Sequence, residues 1–263
     1  MHMNKTNQVK KAIIIAAGLG SRLGNLTNDK PKCLLEVAGK SLLQHQIDTL
    51  KSCGITNISV IKGYKKEKIN YPGLKYYIND DYQNNNILNS LFYAEPEMSD
   101  AFITHYSDIL YRKEVVERLL TSQGDISVVI DINWQDYYLG RTDHPIEEAE
   151  KVIFDANNQV VEIGKILVKE EVNWGEFIGM AKFTKRGAEI FKRHFHQAKK
   201  LYWGKPFQHA KTFQKAYLTD MFQEMIDLGV LISCVIIAKG WIEIDTVQDF
   251  GRAEKMLHEN TVV

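Results

Sequence analysis

A short glycine-rich stretch with cations beside it carries the strongest chemical signal in this sequence. Residues 17–21 read Ala-Gly-Leu-Gly-Ser, Arg22 follows directly, and Lys32 comes after Pro31. Glycines let backbone N–H groups approach phosphate oxygens, and arginine and lysine neutralise the charge of a polyphosphate. A tight strand-to-helix turn with solvated Arg22 and Lys32 is the alternative. The stretch predicts a nucleotide-binding turn whose contacts come from Ala17, Gly18, Gly20 and Ser21.

The same stretch does not match a dinucleotide-binding fingerprint. That fingerprint has a third glycine three residues after the second, whereas this chain has Leu23 there and Gly24 one position later. It also supplies Arg22 and Lys32, cations that the fingerprint does not need. A dinucleotide-dependent oxidoreductase is therefore disfavoured.

The elements around the glycine turn predict a three-layer α/β/α fold. Residues 12–17 are apolar and mostly β-branched, as in a strand buried on both faces of a parallel sheet. An apolar helical stripe runs from Ser41 to near Gly54, and residues 58–61 predict the next strand. This alternation continues, which indicates a Rossmann-like, mostly parallel sheet with right-handed crossovers. The further predicted elements are strands 74–78, 101–104 and 126–132 and helices 87–94 and 113–120.

The alternation changes after residue 132. Residues 151–154 and 159–163 flank Asp-Ala-Asn-Asn at 155–158, which predicts an antiparallel hairpin with asparagine in left-handed turn positions. We expect one domain over residues 1–263, in which residues 133–183 form an insertion over the active face. Helices 185–198 and 215–228, strands 231–238 and 241–244, and a helix from Thr246 then complete the predicted fold.

Composition excludes several classes of protein. The 263 residues are 44% hydrophobic, enough for a large core, and Lys+Arg and Asp+Glu both total 33. A formal net charge of zero gives no overall field toward nucleic acid or an anionic membrane. The three cysteines lack metal-site or disulfide spacing. No apolar run approaches the roughly 18 residues of a membrane span. We expect a cytoplasmic protein without nucleic-acid or membrane partners.

Several segments resemble one enzyme superfamily. Gly-Leu-Gly-Ser-Arg at 18–22 with Pro-Lys-Cys-Leu-Leu at 31–35 resembles the signature of the sugar-1-phosphate nucleotidyltransferases, including their cytidylyltransferases. The asparagine-rich residues 82–91 are similar to those of phosphocholine and phosphonate cytidylyltransferases, the closest group. This resemblance covers nearly the whole chain and implies the nucleotide-diphospho-sugar transferase fold. Its other segments are 105–111, Gly140-Arg141, His144-Pro145, 147–151, 177–179 and 241–246.

The resemblance implies a magnesium site built from two aspartates. Asp108 lies just beyond strand 101–104, and Asp245 follows strand 241–244, at the edge where parallel sheets place their ligands. In the resembling families the matching aspartates bind Mg²⁺, which one or two carboxylates usually hold together with phosphates and waters. Helix capping is the alternative for both residues.

The resemblance also implies contacts to the nucleotide. Asn85, Asn86 and Ser90 match positions that contact the base or ribose, although an asparagine-rich loop can equally be a simple turn. Lys165 matches a lysine that projects from the insertion toward a bound phosphate, and Arg22, Lys32 and Lys165 form the implied catalytic set. A solvated surface lysine is the alternative for Lys165.

Charged residues further along could bind the second substrate, the acceptor. Arg141 could clamp a phosphate or phosphonate bidentately, whereas Glu148 and Glu150 would suit an ammonium group or an additional metal contact. Asp220 is predicted on a helix whose apolar side carries Met221, Phe222 and Met225. A solvent-facing charged segment, and for Asp220 a solvated helix start, are the alternatives.

Together these residues predict a magnesium-dependent transfer of CMP from CTP to a small phosphorylated or phosphonate acceptor. The acceptor's own oxygen can attack the α-phosphorus, so that catalysis rests on positioning and charge. Candidate acceptors include 2-aminoethylphosphonate, a hydroxyalkylphosphonate and phosphocholine. The alternatives are a sugar-1-phosphate nucleotidyltransferase and a non-catalytic nucleotide-binding module. A homodimer is a further expectation from the resemblance.

Overall fold

The computed structural model describes residues 9–167 and 173–258. These ranges contain strands and helices that alternate through the first half of the chain. The strands are β1 (Lys11–Ala16), β2 (Glu36–Val37), β3 (Lys40–Ser41), β4 (Asn57–Lys62), β5 (Lys75–Ile78), β6 (Phe102–Tyr106), β7 (Ile109–Tyr111), β8 (Ile126–Asp131), β9 (Lys151–Phe154), β10 (Val160–Gly164), β11 (Trp174–Phe183), β12 (Ser233–Ile237) and β13 (Trp241–Glu243). The α-helices are α1 (Leu42–Ser52), α2 (Ile87–Leu91), α3 (Lys113–Thr121), α4 (Trp134–Tyr138), α5 (Lys185–Tyr202), α6 (Leu218–Asp227) and α7 (Val247–His258).

A nine-stranded mixed sheet forms the centre of the molecule. Its main path is β10-β9-β11-β6-β1-β4-β5, with β8 paired to β11 and β12 paired to β8. β1 runs parallel to β4 and β6, β5 parallel to β4, and β12 parallel to β8. The α/β class and the parallel centre are therefore confirmed, while β11 runs antiparallel to β6, β8 and β9.

Alternate side chains of β1 enter two separate cores, one on each face of the sheet. Ile13 and Ile15 lie in a cluster with residues of α5 and α6, such as Phe191 and Phe222. Ile14 lies in a second cluster with residues of α1 and α3. Because successive side chains of a strand point to opposite faces, a strand apolar throughout requires helices on both sides. The three predicted layers follow from this arrangement.

The predicted hairpin forms at the end of the sheet. β9 and β10 pair antiparallel, and the turn closes with Asp155 N–H donating to the Gln159 carbonyl at 2.9 Å. Asn158 adopts φ 56°, a left-handed conformation that asparagine tolerates better than most residues. The hairpin extends the sheet beyond β11 and packs against α6.

A glycine in β11 allows close packing beside the cleft described below. Gly179 has φ 78°, and a Cβ there would lie 2.4 Å from the Tyr106 ring. The register of β11 against β8 shifts between Phe177 and Ala181, around this glycine. Only glycine accepts both the backbone conformation and the contact with Tyr106.

A two-stranded ribbon lies outside the main sheet and positions two acidic residues. β13 pairs antiparallel with β7, with Glu243 opposite Ile109. Ile244 N–H donates to the Asp108 carbonyl at 2.9 Å, which continues the ribbon by one bond. Leu110, Ile242 and Ile244 bury the ribbon against the segment that follows β1 and against α7. Within the described ranges, none of the helices combines the length and apolar character needed to cross a bilayer.

Candidate active site

The glycine turn follows β1 directly. Gly20 adopts φ 64° and leads into a 3₁₀ segment, Ser21–Thr27. The Thr27 hydroxyl donates to the Gly20 carbonyl at 3.0 Å, which fixes the turn. A second 3₁₀ segment, Lys32–Leu34, begins after Pro31. These two short segments present Arg22 and Lys32 to the same cleft.

Lys32 forms ion pairs with both aspartates that the resemblance assigns to a magnesium site. Its ammonium donates to Asp108 Oδ2 at 2.7 Å and also to Asp245 Oδ1. Arg22 donates to the other oxygen of Asp245. The chain thus brings Arg22, Lys32, Asp108 and Asp245 from four different segments into one ion-pair network.

The ribbon of β7 and β13 explains why the aspartates meet. Asp108 immediately precedes β7, and Asp245 lies two residues beyond β13, so both sit at the same end of this antiparallel pair. Asp249, and not Asp245, caps the start of α7. Its Oδ2 accepts hydrogen bonds from the backbone N–H groups of Asp245 and Thr246 at 3.1 and 3.0 Å. The side chain of Asp245 therefore remains directed to the cations.

The charges in this network change the acid–base behaviour of its members. Burial alone lowers the pKa of Lys32, but Asp108 and Asp245 more than offset burial and raise this pKa above its ordinary value. Burial alone raises the pKa of Asp245, but Lys32 and Arg22 hold this pKa well below its usual range. Lysine and aspartate are therefore both charged near neutral pH.

The network lines one end of a cleft of about 410 Å³. Sixteen candidate residues from the sequence were expected around such a site, and fourteen of them line the cleft, the exceptions being Arg141 and Asp220. The candidates lining it are Ala17, Gly18, Gly20, Ser21, Arg22, Lys32, Asn85, Asn86, Ser90, Asp108, Glu148, Glu150, Lys165 and Asp245. Tyr82, Tyr106, Ser107, His144, Tyr217 and Glu243 also line it and were not among the predicted site residues.

An amide network fixes the asparagine-rich wall of the cleft. Asn79, which is buried, and Asn85, which is partly exposed, exchange two hydrogen bonds of 2.9 and 3.0 Å. Ser90 donates to Asn85 Oδ1 at 3.2 Å. Asn86 caps α2 by accepting from Ile87 N–H at 2.9 Å. This loop is therefore both a turn and a wall of the cleft.

The opposite wall carries a cation and two glutamates. Lys165 forms an ion pair with Glu148, and its ammonium lies 4.7 Å from the centre of the Tyr217 ring. Glu150 instead accepts from the hydroxyls of Thr219 at 2.6 Å and Tyr106 at 3.1 Å. Burial raises the pKa of Glu150 to about 7, whereas Lys165 lowers the pKa of Glu148.

Arg141 lies beneath the cleft, which differs from the expected acceptor-binding position. Its side chain is fully buried and donates to Asp249 at 2.6 and 2.9 Å and to Glu243 at 2.8 Å. It also donates to His144 Nδ1 at 3.0 Å. These contacts engage Nε and Nη2, and Nη1 is buried without a partner among the described residues, so the guanidinium has no open side for an acceptor phosphate.

Asp220 also lies away from the expected position. Its carboxylate accepts from the backbone N–H groups of Tyr217 at 2.7 Å and His209 at 3.2 Å, and it caps the start of α6. The residue is buried, in contrast to the alternative of a solvated helix start. Asp220 thus supports the segment carrying Tyr217, which does line the cleft.

The donor atoms in the cleft fit a hard divalent cation. Asp108 Oδ1 is buried and has no hydrogen-bond partner among the described residues. His144, Glu243 and Asp245 each offer a ligand atom, and these three atoms lie within 4.8 Å of one another. Carboxylate oxygens are the ligands that Mg²⁺ prefers. Asp108 and Asp245, joined through Lys32, could therefore hold a metal once that lysine moves to another anion.

Known proteins share both the sequence pattern and the fold. A family described as the MobA-like NTP transferase domain matches residues 12–157. CTP:phosphoglutamine cytidylyltransferase from Campylobacter jejuni is 29% identical across 90% of this chain and 96% of its own. Choline-phosphate cytidylyltransferase from Streptococcus pneumoniae is 39% identical across 39% of this chain and 46% of its own. The similarity to the first relative thus extends over almost the entire chain.

Solved structures show the same architecture. The inositol-1-phosphate CTP transferase from T. maritima superposes with a TM-score of 0.72 at 21% identity, covering 95% of this chain and 96% of that one. This likeness confirms the nucleotide-diphospho-sugar transferase type of fold. Since the family match spans more than half of the residues, the chain belongs to the MobA-like NTP transferase family and is a nucleotidyltransferase related to cytidylyltransferases.

Proposed function

We propose that this enzyme transfers CMP from CTP to a small phosphomonoester or phosphonate and releases pyrophosphate. The observation that carries the proposal is the convergence of Arg22, Lys32, Asp108 and Asp245 on one cleft beside a glycine turn. Support for CTP comes from relatives named cytidylyltransferases, including 2-aminoethylphosphonate cytidylyltransferase from Lancefieldella rimae, 38% identical across 34% of this chain and 37% of its own.

The proposed step requires no protein nucleophile. An oxygen of the acceptor phosphate or phosphonate attacks the α-phosphorus of CTP in line. The bond from that phosphorus to the oxygen bridging to the β-phosphate breaks, and pyrophosphate leaves with the electron pair. The protein contributes position and charge: Arg22 and Lys32 hold the triphosphate, and Lys165 offsets negative charge at the reacting centre.

Asp108 and Asp245 are the proposed ligands of Mg²⁺. The unpartnered buried oxygen of Asp108 and the charged state of Asp245 support this assignment. When bound, Mg²⁺ would polarise phosphate oxygens and neutralise part of their charge. In the free protein Lys32 occupies the space between the two carboxylates. Its ammonium must turn toward the phosphates when nucleotide and metal arrive together.

The remaining contacts divide between the two substrates. The backbone of Ala17, Gly18, Gly20 and Ser21 faces the triphosphate, while Asn85, Asn86 and Ser90 contact the base or ribose. Glu148 and Glu150 line the acceptor end. Arg141 and Asp220 act as positioning residues in this proposal, because their polar groups are engaged within the protein.

Pyrophosphate release provides the test. The enzyme is incubated with Mg²⁺, one of CTP, UTP, GTP or dTTP, and a panel of phosphomonoesters and phosphonates. Release with CTP and a small acceptor is the expected outcome. Release with UTP or dTTP and a sugar 1-phosphate would instead identify a sugar nucleotidyltransferase. CTP binding in a thermal-shift assay without release from any pair would identify a non-catalytic binding module.

Three further features complete the proposal. One catalytic domain covers residues 1–263, with residues 133–183 as the acceptor-binding insertion; the hairpin of β9 and β10 at the end of the sheet supports this proposal, whereas β11 belongs to the central sheet. The balanced charge and the free cysteines agree with a cytoplasmic location. The resemblance supports a homodimer, which light scattering after gel filtration tests directly.

A further inference from the structure

A small side pocket opens from the acceptor end of the cleft. It has a volume of about 30 Å³ and shares Tyr106, His144, Glu148, Glu150 and Glu243 with the cleft wall. A water-sized group needs about 10–15 Å³ of such volume, so the side pocket holds about two or three of them. Its remaining lining comes from Tyr138, Glu176, Phe177, Ile178, Gly179 and Trp241.

One buried polar side chain that lines this pocket, Glu176, lacks a complete set of hydrogen-bond partners. Glu176 is 4% exposed, and its Oε1 accepts from the Tyr138 hydroxyl at 2.6 Å. Its Oε2 is buried and has no hydrogen-bond partner among residues 9–167 and 173–258. An unsatisfied buried carboxylate is costly, so the oxygen marks a place where a ligand donor is missing.

A second glutamate beside it also lacks a cation. Glu150 accepts from the hydroxyls of Thr219 and Tyr106, and in the described part of the chain neither Glu150 nor Glu176 forms an ion pair. The nearby cations are engaged elsewhere: Lys165 pairs with Glu148, and Arg141 pairs with Asp249 and Glu243. Of the four glutamates that line the pocket, Glu150 and Glu176 therefore have no cation among the described residues, and no described lysine or arginine lines the pocket.

The pocket also lies close to the proposed reaction site. Glu243 lines the pocket, and its ligand oxygen lies within 4.8 Å of that of Asp245. A group bound in the pocket can thus belong to the same small molecule as a phosphate bound near Asp245, joined by a short chain.

We infer that the acceptor carries a primary ammonium group, which Glu176 and Glu150 bind in this side pocket; the inference rests on the proposed cytidylyl transfer. An ammonium has three donors and no acceptor, so it satisfies the free oxygen of Glu176 and pairs with both carboxylates. A hydroxyl supplies one donor and no charge. A trimethylammonium has no N–H donor, so it leaves the free oxygen of Glu176 without a hydrogen bond.

Two matched pairs of acceptors test the inference through pyrophosphate release with CTP and Mg²⁺. In one pair, 2-aminoethylphosphonate carries an ammonium group where 2-hydroxyethylphosphonate carries a hydroxyl. In the other, phosphoethanolamine and phosphocholine differ in three methyl groups. We expect kcat/KM to favour the primary ammonium in each pair by about 100-fold, as for a site built around a specific polar group. Because both acceptors of a pair are compared on the wild-type enzyme, this test does not depend on whether a variant folds.

The variant Glu176→Gln then tests whether Glu176 binds the ammonium group. The substitution should reduce the preference for 2-aminoethylphosphonate over 2-hydroxyethylphosphonate by about 10-fold or more, mainly through KM, because one charged hydrogen bond is lost. Glu97→Gln is the matched control, since Glu97 is also buried but pairs with Lys75 outside the cleft. That control should keep the preference.

The outcomes separate the two proposals. Equal or better use of 2-hydroxyethylphosphonate or phosphocholine would overturn the ammonium site while leaving cytidylyl transfer in place. Retention of the full preference by Glu176→Gln would overturn the assignment to Glu176. Release with no member of either pair would overturn the inference, and a thermal-shift measurement of CTP binding would then decide whether the proposed function falls with it.

Discussion

The guanidinium of Arg141 and the carboxylate of Asp249 form a two-pronged ion pair that is completely buried. The two hydrogen bonds measure 2.6 and 2.9 Å, and both side chains have no exposed surface. Asp249 also accepts from the backbone of Asp245 and Thr246. This pair therefore connects the segment carrying Arg141 to the start of α7 and holds Asp245 in place.

Breaking the pair should destabilise the protein strongly. In Arg141→Met, Asp249 remains as a buried charge without its partner, a situation that typically costs about 3–5 kcal/mol. Chemical denaturation measures the loss. Lys113→Met, which removes an exposed ion pair with Glu117, is the control and should leave the free energy of unfolding almost unchanged. An Arg141→Met variant of wild-type stability with an altered KM for the acceptor would instead favour direct acceptor binding.

Removing the carboxylate of Asp245 should weaken metal binding in the presence of nucleotide. Mn²⁺ serves as a paramagnetic probe, and electron paramagnetic resonance measures the free ion. We expect Asp245→Asn to weaken Mn²⁺ binding with CTP by at least about 10-fold, since one of two proposed carboxylate ligands is lost. Asp48→Asn, in an exposed pair with Lys40, is the control. Equal Mn²⁺ binding by Asp245→Asn would contradict the metal assignment.

The stability of the ligand-free protein should fall as pH rises toward 8. Burial raises the pKa of Glu176 to about 8 in the folded state, against about 4.3 in an unfolded chain. Between these two pKa values the folded protein binds more protons than the unfolded chain, so the free energy of unfolding decreases as the pH rises. The charged or titratable groups that act on Glu176 are Tyr138, Arg141, Asp131 and Glu150.

Glu176→Gln should reduce this decline, because glutamine stays neutral over the whole window. Urea denaturation at about pH 5.5 and about pH 8, which span most of the range between the two pKa values, measures how far the free energy of unfolding declines in each protein. The variant should gain stability relative to wild type at the higher pH. Parallel pH dependences for the two proteins would show that Glu176 titrates in its ordinary range.

Gly179 should tolerate alanine much less well than a glycine of similar backbone conformation. Gly73 has φ 76° with open space around it, whereas at Gly179, φ 78°, a Cβ would lie 2.4 Å from Tyr106. Gly73→Ala should cost about 1–2 kcal/mol for the left-handed conformation, and Gly179→Ala about 1–3 kcal/mol more for overpacking. Thermal denaturation compares the two. Equal losses would mean that Tyr106 moves aside freely.

Much of the fold could be predicted because local patterns determine it. The apolar run of β1, its glycine turn and the hairpin around Asn158 each depend on neighbouring residues. β11 was not predicted as a strand. It is almost entirely buried and pairs on both edges, so it lacks the polar and apolar alternation of a half-exposed strand, and Gly175 and Gly179 interrupt it.

The site was predictable in part for the same reason. Asp108, just beyond β6, could be placed from sequence order and the edge rule for parallel sheets, and Lys32 could be expected from the glycine turn with its nearby cations. The burial of Arg141 and the open oxygen of Glu176 depend on partners more than thirty residues away, Asp249 and Tyr138. No local pattern indicates such pairs. They become visible only when the strands and α7 are assembled.

Turnover of Lys32→Ala and Asp108→Asn tests the shared nucleotide–metal site most directly. Pyrophosphate release is measured with saturating CTP, Mg²⁺ and an active acceptor, alongside a thermal denaturation curve for each variant. Each variant should fold and turn over at least about 100-fold more slowly than wild type, as expected when one electrostatic contact to the reacting phosphates is removed. Wild-type turnover in either variant would contradict this shared nucleotide–metal site.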